Sequence, residues 1–212
     1  GRIVLAGKAD DPHNWFMSAV ADPLDWDYFQ SDAGALAGNL SKLGEVADPI
    51  SALIPYTNNQ LIFGSSKSIH ILTDDPVAGN ARIEQVSEQI GILGPNAWTH
   101  GPEKRLFFFG QGGLYTISPN EFNITKQNLI SANKLDKTFS NINPIENEIR
   151  LEYDPYRRGL WIFICPLVET TPSTASRHYF WDERTNSFWP VEFPASHGPV
   201  SSFFWRSGKI DQ

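Results

Sequence analysis

The sequence predicts an all-β fold made of a β-propeller-like repeat of four-stranded blades, each of roughly 50 residues. Three observations lead to this prediction. Apolar segments are short, rich in Ile, Val, Phe, Tyr and Trp, and bounded by clusters of Gly, Pro, Asn, Asp and Ser. Convincing helical periodicity is almost absent. A proline-containing marker recurs along most of the chain at nearly even intervals.

Four β-hairpins can be recognised directly, because each has a polar, turn-forming centre between two β-prone arms. They span residues 61–72, 106–117, 150–164 and 178–191. Outer strands are expected at ARIEQVS (81–87) and ITKQNLI (124–130). RIVLAG and NWFMSAV near the start are expected to be late strands of a preceding unit, and residues 33–44 are the only candidate for a helical turn.

The repeat starts near residues 48, 94, 143 and 198, so its prolines fall at 49, 95, 144 and 199, with spacings of 46, 49 and 55. We expect ISALI, NAWTH, IENEI and VSSFF after these prolines to be innermost strands. A single blade cannot bury both of its faces, so it needs neighbours. The sequence therefore predicts one domain over residues 1–212, either a small closed propeller or a segment of a larger one. A β-sandwich with similarly spaced turn prolines is the alternative.

Composition excludes several classes of protein. The net charge of -7 gives no support to nucleic-acid binding through a basic surface. Cys165 is the only cysteine, so an intrachain disulfide and a cysteine-based zinc site are excluded, and its apolar surroundings predict a buried core thiol. The longest apolar run, residues 160–168, is too short for a membrane span, and none is expected.

No catalytic, cofactor-binding or metal site is predicted. Only Glu146 and Glu148 are acidic among the expected inner strands, so a set of carboxylates from different blades, as a glycosidase requires, is missing. GRIVLAGKA departs from the Walker A pattern in its glycine spacing and in the Ala after Lys8. The five histidines, at positions 13, 70, 100, 178 and 197, show no metal-ligand spacing. We therefore expect a protein that is not an enzyme.

The stretch SAVADPLDWDYFQSD (18–32) is the strongest candidate for a site, since it combines four aspartates, including Asp32, with Trp26, Tyr28 and Phe29. The spacing of its acids fails the EF-hand pattern, while a different calcium site and sugar stacking on Trp26 and Tyr28 remain alternatives. Asp-Pro is a turn signal, and a tryptophan three residues later can pack back against a blade. The expected role is a loop anchor or a subunit contact, carried by Asp22, Pro23, Asp25, Trp26 and Asp27.

Ordered motifs in the chain also resemble a known family. They are S-A-x-x-D-P-x-D-W from Ser18, then DPISAL (48–53), QLIFxxxxSIxILT (60–73), GILGPNA (91–97) and LFFFGQGGLYTI (106–117). WDERTNSFW (181–189) matches more loosely. This series resembles the β-propeller tail proteins of short-tailed bacteriophages, described as tail nozzle, tail hub, tail tube or stabilisation proteins.

The resemblance implies a structural virion component located in the tail, without a cofactor. Copies of such proteins form a cyclic homo-oligomer, such as a hexamer, around the tail axis. Its partners are other tail proteins, the adaptor and the portal, and phage DNA passes through it transiently without specific binding. The resemblance also implies a part in genome retention and ejection. The alternative is a carbohydrate-binding or glycoside-cleaving β-propeller that uses Trp26, Tyr28 and the neighbouring acids.

Overall fold

A computed structural model describes residues 1–29, 34–118, 128–167 and 177–193, together with the single residues 199 and 202. The protein is mostly β and contains four antiparallel sheets, which confirms the predicted all-β class. They are called sheets 1 to 4 in chain order. In the part of the chain that is described, no helix has the length and apolar character needed to cross a bilayer.

Sheet 1 consists of β1 (Val4–Lys8), β2 (Asp11–Met17) and β3 (Leu36–Ala37), and a one-turn 3-10 helix follows at Gly38–Leu40. That turn lies within the stretch predicted to form one. Gly7 interrupts the β1–β2 register as a bulge, with a φ of +74°. A Cβ at this position would lie 2.9 Å from the carbonyl oxygen of Ile50, so glycine allows sheet 1 to approach sheet 2 closely.

Sheet 2 is a meander of β4 (Ile50–Thr57), β5 (Gln60–Ser65), β6 (Ile69–Thr73) and β7 (Arg82–Ser87). A short 3-10 helix at Pro76–Ala78 connects the last two strands. The predicted hairpin and the predicted outer strand ARIEQVS are both confirmed here.

Sheet 3 consists of β8 (Trp98–His100), β9 (Leu106–Gly110) and β10 (Gly113–Ile117), with a 3-10 turn at Pro102–Lys104. Its predicted hairpin is confirmed. Residues 124–127 of the expected outer strand lie outside the described residues, and Leu129 forms an isolated bridge with Tyr115. The sequence did not predict the short helix α1 (Asp136–Ser140), whose Phe139 is fully buried.

Sheet 4 is the meander β11 (Asn147–Asp154), β12 (Gly159–Pro166), β13 (Arg177–Asp182) and β14 (Ser187–Val191). Both predicted hairpins are confirmed. The prediction of a separate inner strand, IENEI, before the hairpin arm RLEY was wrong. Residues 147–149 of IENEI continue directly into RLEY and Asp154 as one eight-residue strand, while Ile145 and Glu146 lie in the turn before it. No turn residue divides this strand, and the alternation of buried side chains continues from Ile149 to Tyr153.

The sheets pack on one another in chain order. A smaller core, centred on Trp15 and Phe63, joins sheets 1 and 2. A larger core joins sheets 2, 3 and 4, and Phe107, Phe108 and Phe109 are completely buried in it. Each sheet therefore shares its apolar surface with its neighbours in the sequence.

The first strands of sheets 2, 3 and 4 lie side by side and run in the same direction. The Ser51 hydroxyl at the start of β4 donates to the Ile92 carbonyl just before β8, and a ring nitrogen of His100 at the end of β8 lies 2.9 Å from the Pro55 carbonyl oxygen. The Leu151 amide of β11 donates to the Asn96 carbonyl. These strands follow Pro49, Pro95 and Pro144, as the repeat predicts, whereas the strand expected after Pro199 falls outside the described residues apart from Ser202.

Strand β1 differs from these three strands, because it runs antiparallel to β4. Gly7 near its end approaches Ile50 at the start of β4, while Gly1, Arg2 and Val4 share a hollow with residues 55–61 at the end of β4. Sheet 1 therefore meets sheet 2 in a different orientation from that in which sheets 2 and 3 meet.

Candidate functional site

The loop that follows β2, residues 18–29, contains all five residues predicted as loop anchors or subunit contacts. Asp22, Pro23 and Asp27 are exposed, and Asp25 and Trp26 are half-buried. Backbone hydrogen bonds hold the loop to the chain terminus: the Ser18 amide donates to Ile3 and the Ala21 amide to Gly1, both at 3.0 Å. The Ala19 amide donates to the Asp25 carbonyl at 2.9 Å, which closes the loop on itself. The loop therefore has a defined shape.

The aspartates of the loop shape its backbone. One carboxylate oxygen of each accepts the amide proton two residues further on: Asp22 from Leu24, Asp25 from Asp27, and Asp27 from Phe29, each at 3.0 Å. This is the Asx-turn geometry that aspartate favours in loops. Asp32 lies outside the described residues. In the described residues, no group of three or more His, Cys, Asp and Glu side chains is arranged to hold a metal ion.

Trp26, the predicted loop anchor, and Tyr28, named with it for sugar stacking, make different contacts. The indole N–H of Trp26 donates to the Pro23 carbonyl at 3.0 Å, so Trp26 closes the turn that Asp22 and Pro23 begin. The ring of Tyr28 lies 6.1 Å from that of Phe16 on β2, and burial raises the pKa of its phenol. Tyr28 therefore packs on sheet 1 through its ring, whereas the hydrogen bond of Trp26 stays within the loop.

Arg2 links this loop to sheet 2, and sequence reasoning missed it. Its side chain is only 7% exposed, and its guanidinium binds both carboxylate oxygens of Asp75, at 3.0 and 3.1 Å. It also donates to the carbonyls of Ser18 and Gly34. Burial works to raise the pKa of the Asp75 carboxyl, but the hydrogen bonds from Arg2 and the Val77 amide outweigh it, so the pKa is lowered.

A second region of interest is the hollow where the marker segments meet, with a volume of about 460 Å³. Pro95 and Pro144 line it, together with Ser51 and residues 92–94 and 145–149. Its wall is mainly apolar, and the side chains of Ser51, Asn147 and Glu148 each have a hydrogen-bond partner. The carboxylate of Glu148 accepts from Asn96 at 2.9 Å and pairs with Arg150 at 2.8 Å, which leaves it engaged in joining β8 to β11.

The prediction that Cys165 is a buried core thiol was wrong. It is half-buried rather than in the core, because it lies on the face of β12 that points away from sheet 3, opposite Glu148 in the strand register. Its thiol lies 3.3 Å from the Pro199 carbonyl oxygen, and burial raises its pKa. A raised pKa keeps the thiol protonated and poorly reactive near neutral pH.

The four histidines that can be described are dispersed. His70 and His178 are buried, and burial lowers the pKa of both, partly offset in His70 by the charge of Asp48. His13 lies near the Val46 carbonyl and His100 near that of Pro55. His197 falls outside the described residues. None of these four rings lies in a cluster with metal-binding geometry among the residues described.

Comparison with known proteins adds no assignment. No protein-family model matches the chain, and no curated protein matches its sequence.

Proposed function

We propose that the chain is a β-propeller, or a segment of one, that serves as a non-enzymatic structural component of a bacteriophage tail. In this role its copies form a ring around the DNA channel and take part in genome retention and ejection. The observation that carries the proposal is the regular series of antiparallel sheets, in which three first strands follow the marker prolines and lie side by side. This is the arrangement that propeller blades adopt around an axis.

The resemblance to tail nozzle and hub proteins supplies the second support. Its motifs fall on corresponding features of the fold: DPISAL leads into β4, GILGPNA into β8, and LFFFGQGGLYTI forms the β9–β10 hairpin. The stretch beginning at Ser18 forms the loop that Arg2 ties to sheet 2. The motifs therefore serve to shape strands and junctions, which fits a structural protein.

The charge of the chain suits a channel through which DNA slides without sticking. A net charge of -7 repels the phosphate backbone. We expect the purified protein to show no retention of double-stranded DNA in a filter-binding assay even at low salt. Tight binding that weakens steeply with salt would contradict a passive conduit.

The decisive test is a cryo-electron microscopy map of purified virions at side-chain resolution, combined with mass spectrometry of the particles. The proposal expects a ring of copies in the tail, below the portal and adaptor. If the particles lack the protein, or if the protein is present without symmetric tail density, the proposed function is lost.

Glycan binding or cleavage is the rival function and has its own test. A glycan array and a hydrolase screen should both be negative for the wild-type protein. Specific glycan binding that disappears in Trp26→Ala but persists in Trp98→Ala would favour the rival, since the indole N–H of each tryptophan donates to a proline carbonyl three residues earlier.

A further inference from the structure

The exposed large apolar side chains are concentrated at the two ends of the series of sheets. Among the described residues there are twelve, and only one, Val77, belongs to the two middle sheets. Six lie in or beside sheet 1: Ile3, Leu5, Val20, Leu24, Phe29 and Leu40. Five lie in or beside sheet 4: Ile145, Tyr156, Leu167, Trp189 and Phe193. Ile145 and Leu167 of the second group line the hollow beside Pro95 and Pro144, so Tyr156, Trp189 and Phe193 are its members outside that hollow. Exposed apolar side chains grouped at the ends of the series are typical of interfaces.

Strands β12 to β14 of sheet 4 carry large apolar side chains on both faces, whereas β11 places Glu148, Arg150 and Glu152 on the face away from sheet 3. One face, including Leu151 and Ile162, packs on sheet 3. On the other face, strand register places Trp161, Phe180 and Trp189 in a row across β12, β13 and β14. Phe193 packs on Phe163 and His178 of the same face, and the Pro199 carbonyl lies beside Cys165. Trp189, at the end of the aromatic row, is 59% exposed, so the uncovered part of this face in a single chain lies around Trp189.

Sheet 1 has a corresponding apolar end. Leu5 on β1 is opposite Phe16 on β2, on the face away from sheet 2, and 53% of Leu5 is exposed. Leu24 and Phe29 in the neighbouring loop are each 87% exposed. In the described residues, no strand of sheet 1 packs extensively against a strand of sheet 4, so the two apolar ends of one chain do not cover each other.

Charges at the same rim of the molecule are complementary. This rim is the edge of the molecule at which the first strands of sheets 2, 3 and 4 end. Four contacts mark it in order from sheet 1 to sheet 4: Ala21 to Gly1, Arg2 to Asp75, His100 to Pro55, and Arg105 to Glu183. At one end of the rim, residues 22–27 contain three aspartates and no basic residue. At the other end, the two turns of sheet 4 contain the arginines Arg157, Arg158 and Arg184 together with three acids, Asp154, Asp182 and Glu183, whose side chains are at most 18% exposed.

Ion pairs already join consecutive sheets along this rim. Arg2–Asp75 connects sheets 1 and 2, and Arg105–Glu183 connects sheets 3 and 4. Within their own turns, Arg157 lies 3.8 Å from Asp154, and Arg184 binds both carboxylate oxygens of Asp182. Both arginine side chains are about 60% exposed, so each keeps N–H donors open to a further carboxylate.

We propose that the aromatic face of sheet 4 in one copy packs against the exposed apolar end of sheet 1 in the next copy. Arg157, Arg158 and Arg184 then face the aspartates of the 18–29 loop across the contact. The interface is heterologous, since it joins two different surfaces, and such interfaces generate rings when the rotation closes. This inference rests on the proposed ring-forming function and identifies the surfaces that build the ring.

Mixing two variants tests the contact. Trp189→Glu damages only the sheet 4 surface and Leu24→Lys only the sheet 1 surface, and both side chains are too exposed for either change to unfold the chain. We expect a closed ring for the wild type in sedimentation-velocity ultracentrifugation, and a monomer for each variant at micromolar concentration. Loss of a central tryptophan should weaken the contact by about thirtyfold or more.

An equimolar mixture of the two variants should form a one-to-one dimer, because each supplies the surface that the other lacks. Val77→Glu, on sheet 2, is the matched control and should leave the ring intact. Asn in place of Asp22, Asp25 and Asp27 keeps the Asx turns but removes their charge, and it should flatten the salt dependence of assembly.

Several outcomes overturn the inference. A wild-type ring that both variants leave intact means that other surfaces form it, and the proposed function then stands without this contact. A mixture that stays monomeric excludes a heterologous contact. Hydrogen exchange in β14 is compared between the monomeric Leu24→Lys variant and the wild-type ring. If it is equally slow in both, the chain's own C-terminal segment covers the aromatic face of sheet 4. A wild type that is monomeric at all concentrations overturns the inference, and its absence from virions overturns the function as well.

Discussion

The junction between sheets 3 and 4 and the junction between sheets 1 and 2 each have one ion pair at the rim, but they differ in what lies beneath it. Beneath Arg105–Glu183, Phe107 is fully buried and stacks on Tyr153 at a ring distance of 5.8 Å, with Trp181 at 5.5 Å. Beneath Arg2–Asp75 lies a smaller core centred on Trp15 and Phe63.

This difference indicates how each junction is stabilised. Apolar burial dominates between sheets 3 and 4, and the ion pair closes the edge of a core that is already extensive. Between sheets 1 and 2, the nearly buried guanidinium of Arg2 contributes a larger part of the stability, because it donates hydrogen bonds to two backbone carbonyls as well as to Asp75. Loss of core volume should therefore lower stability most at the junction of sheets 3 and 4. Loss of a charge should lower it most at the junction of sheets 1 and 2.

The largest effect is expected from Phe107→Ala. The substitution leaves a cavity between sheets 3 and 4 and should lower the free energy of unfolding by about 3–5 kcal/mol, measured by urea denaturation. Leu5→Ala, at an exposed position of sheet 1, is the control and should change stability by less than about 0.5 kcal/mol. Similar losses for the two variants would show that Phe107 is not packed as described.

Arg2→Met should have the next largest effect, because it leaves Asp75 and two carbonyls without their donor. We expect a loss of roughly 1–3 kcal/mol in the free energy of unfolding, and faster hydrogen exchange in the 18–29 loop. Lys8→Met removes the exposed Lys8–Asp10 pair and should cost less than about 0.5 kcal/mol. Equal losses would show that Arg2 contributes no more to stability than an exposed ion pair does, which would contradict its role at the junction of sheets 1 and 2.

Acidification should weaken the junction of sheets 1 and 2. The pKa of Asp75 is lower in the folded protein than its value of about 3.9 in an unfolded chain. Its contribution is therefore fully present above that value and is lost as the pH falls through the lower, folded pKa. The stability difference between wild type and Asp75→Asn should be constant from about pH 5 to 7 and shrink below about pH 4. A constant difference down to pH 2 would contradict this.

Tyr153→Phe tests the rim of the junction between sheets 3 and 4. The phenol donates to Glu183 at 2.7 Å, and burial together with this carboxylate raises the pKa of Tyr153 to about 12. The substitution keeps the stacking on Phe107, so we expect a loss of only about 1 kcal/mol. A phenol that titrates near pH 10 in ultraviolet absorbance would show that the hydrogen bond to Glu183 is absent.

Trp26→Phe should have the smallest effect. It removes the hydrogen bond to the Pro23 carbonyl in a solvated loop, which should cost about 0.5 kcal/mol and leave the junctions unchanged. Tyr28→Ala, which removes the contact with Phe16, should destabilise the loop more, as judged by its hydrogen exchange. The reverse order would restore Trp26 as the principal anchor.

The strands could be predicted from the sequence because their signals are local. Alternating side chains and turn residues identify the hairpins, and the marker prolines identify the starts of β4, β8 and β11. The five residues of α1 are too few to show a helical period, so that element was missed. The single strand of residues 147–154 was divided in two because spacing by analogy with earlier units was given more weight than the missing turn.

The contacts between sheets could not be predicted. Arg2 and Asp75 are 73 positions apart, and Arg105 and Glu183 are 78 apart, and no local pattern selects such partners. Cys165 shows the same limit, since its strand is apolar on both faces and the alternation does not reveal which face a neighbouring sheet covers.

The order of packing has a consequence for how the chain folds as it leaves the ribosome. Because every sheet packs on the sheet before it in the sequence, most contacts join segments that are synthesised within a short time of each other. Each new sheet can pack on the apolar face of the sheet synthesised before it, and no later segment has to pass between earlier ones. Of the described sheets, sheet 4 is synthesised last, so its exposed aromatic face forms only when the other three sheets can already be folded.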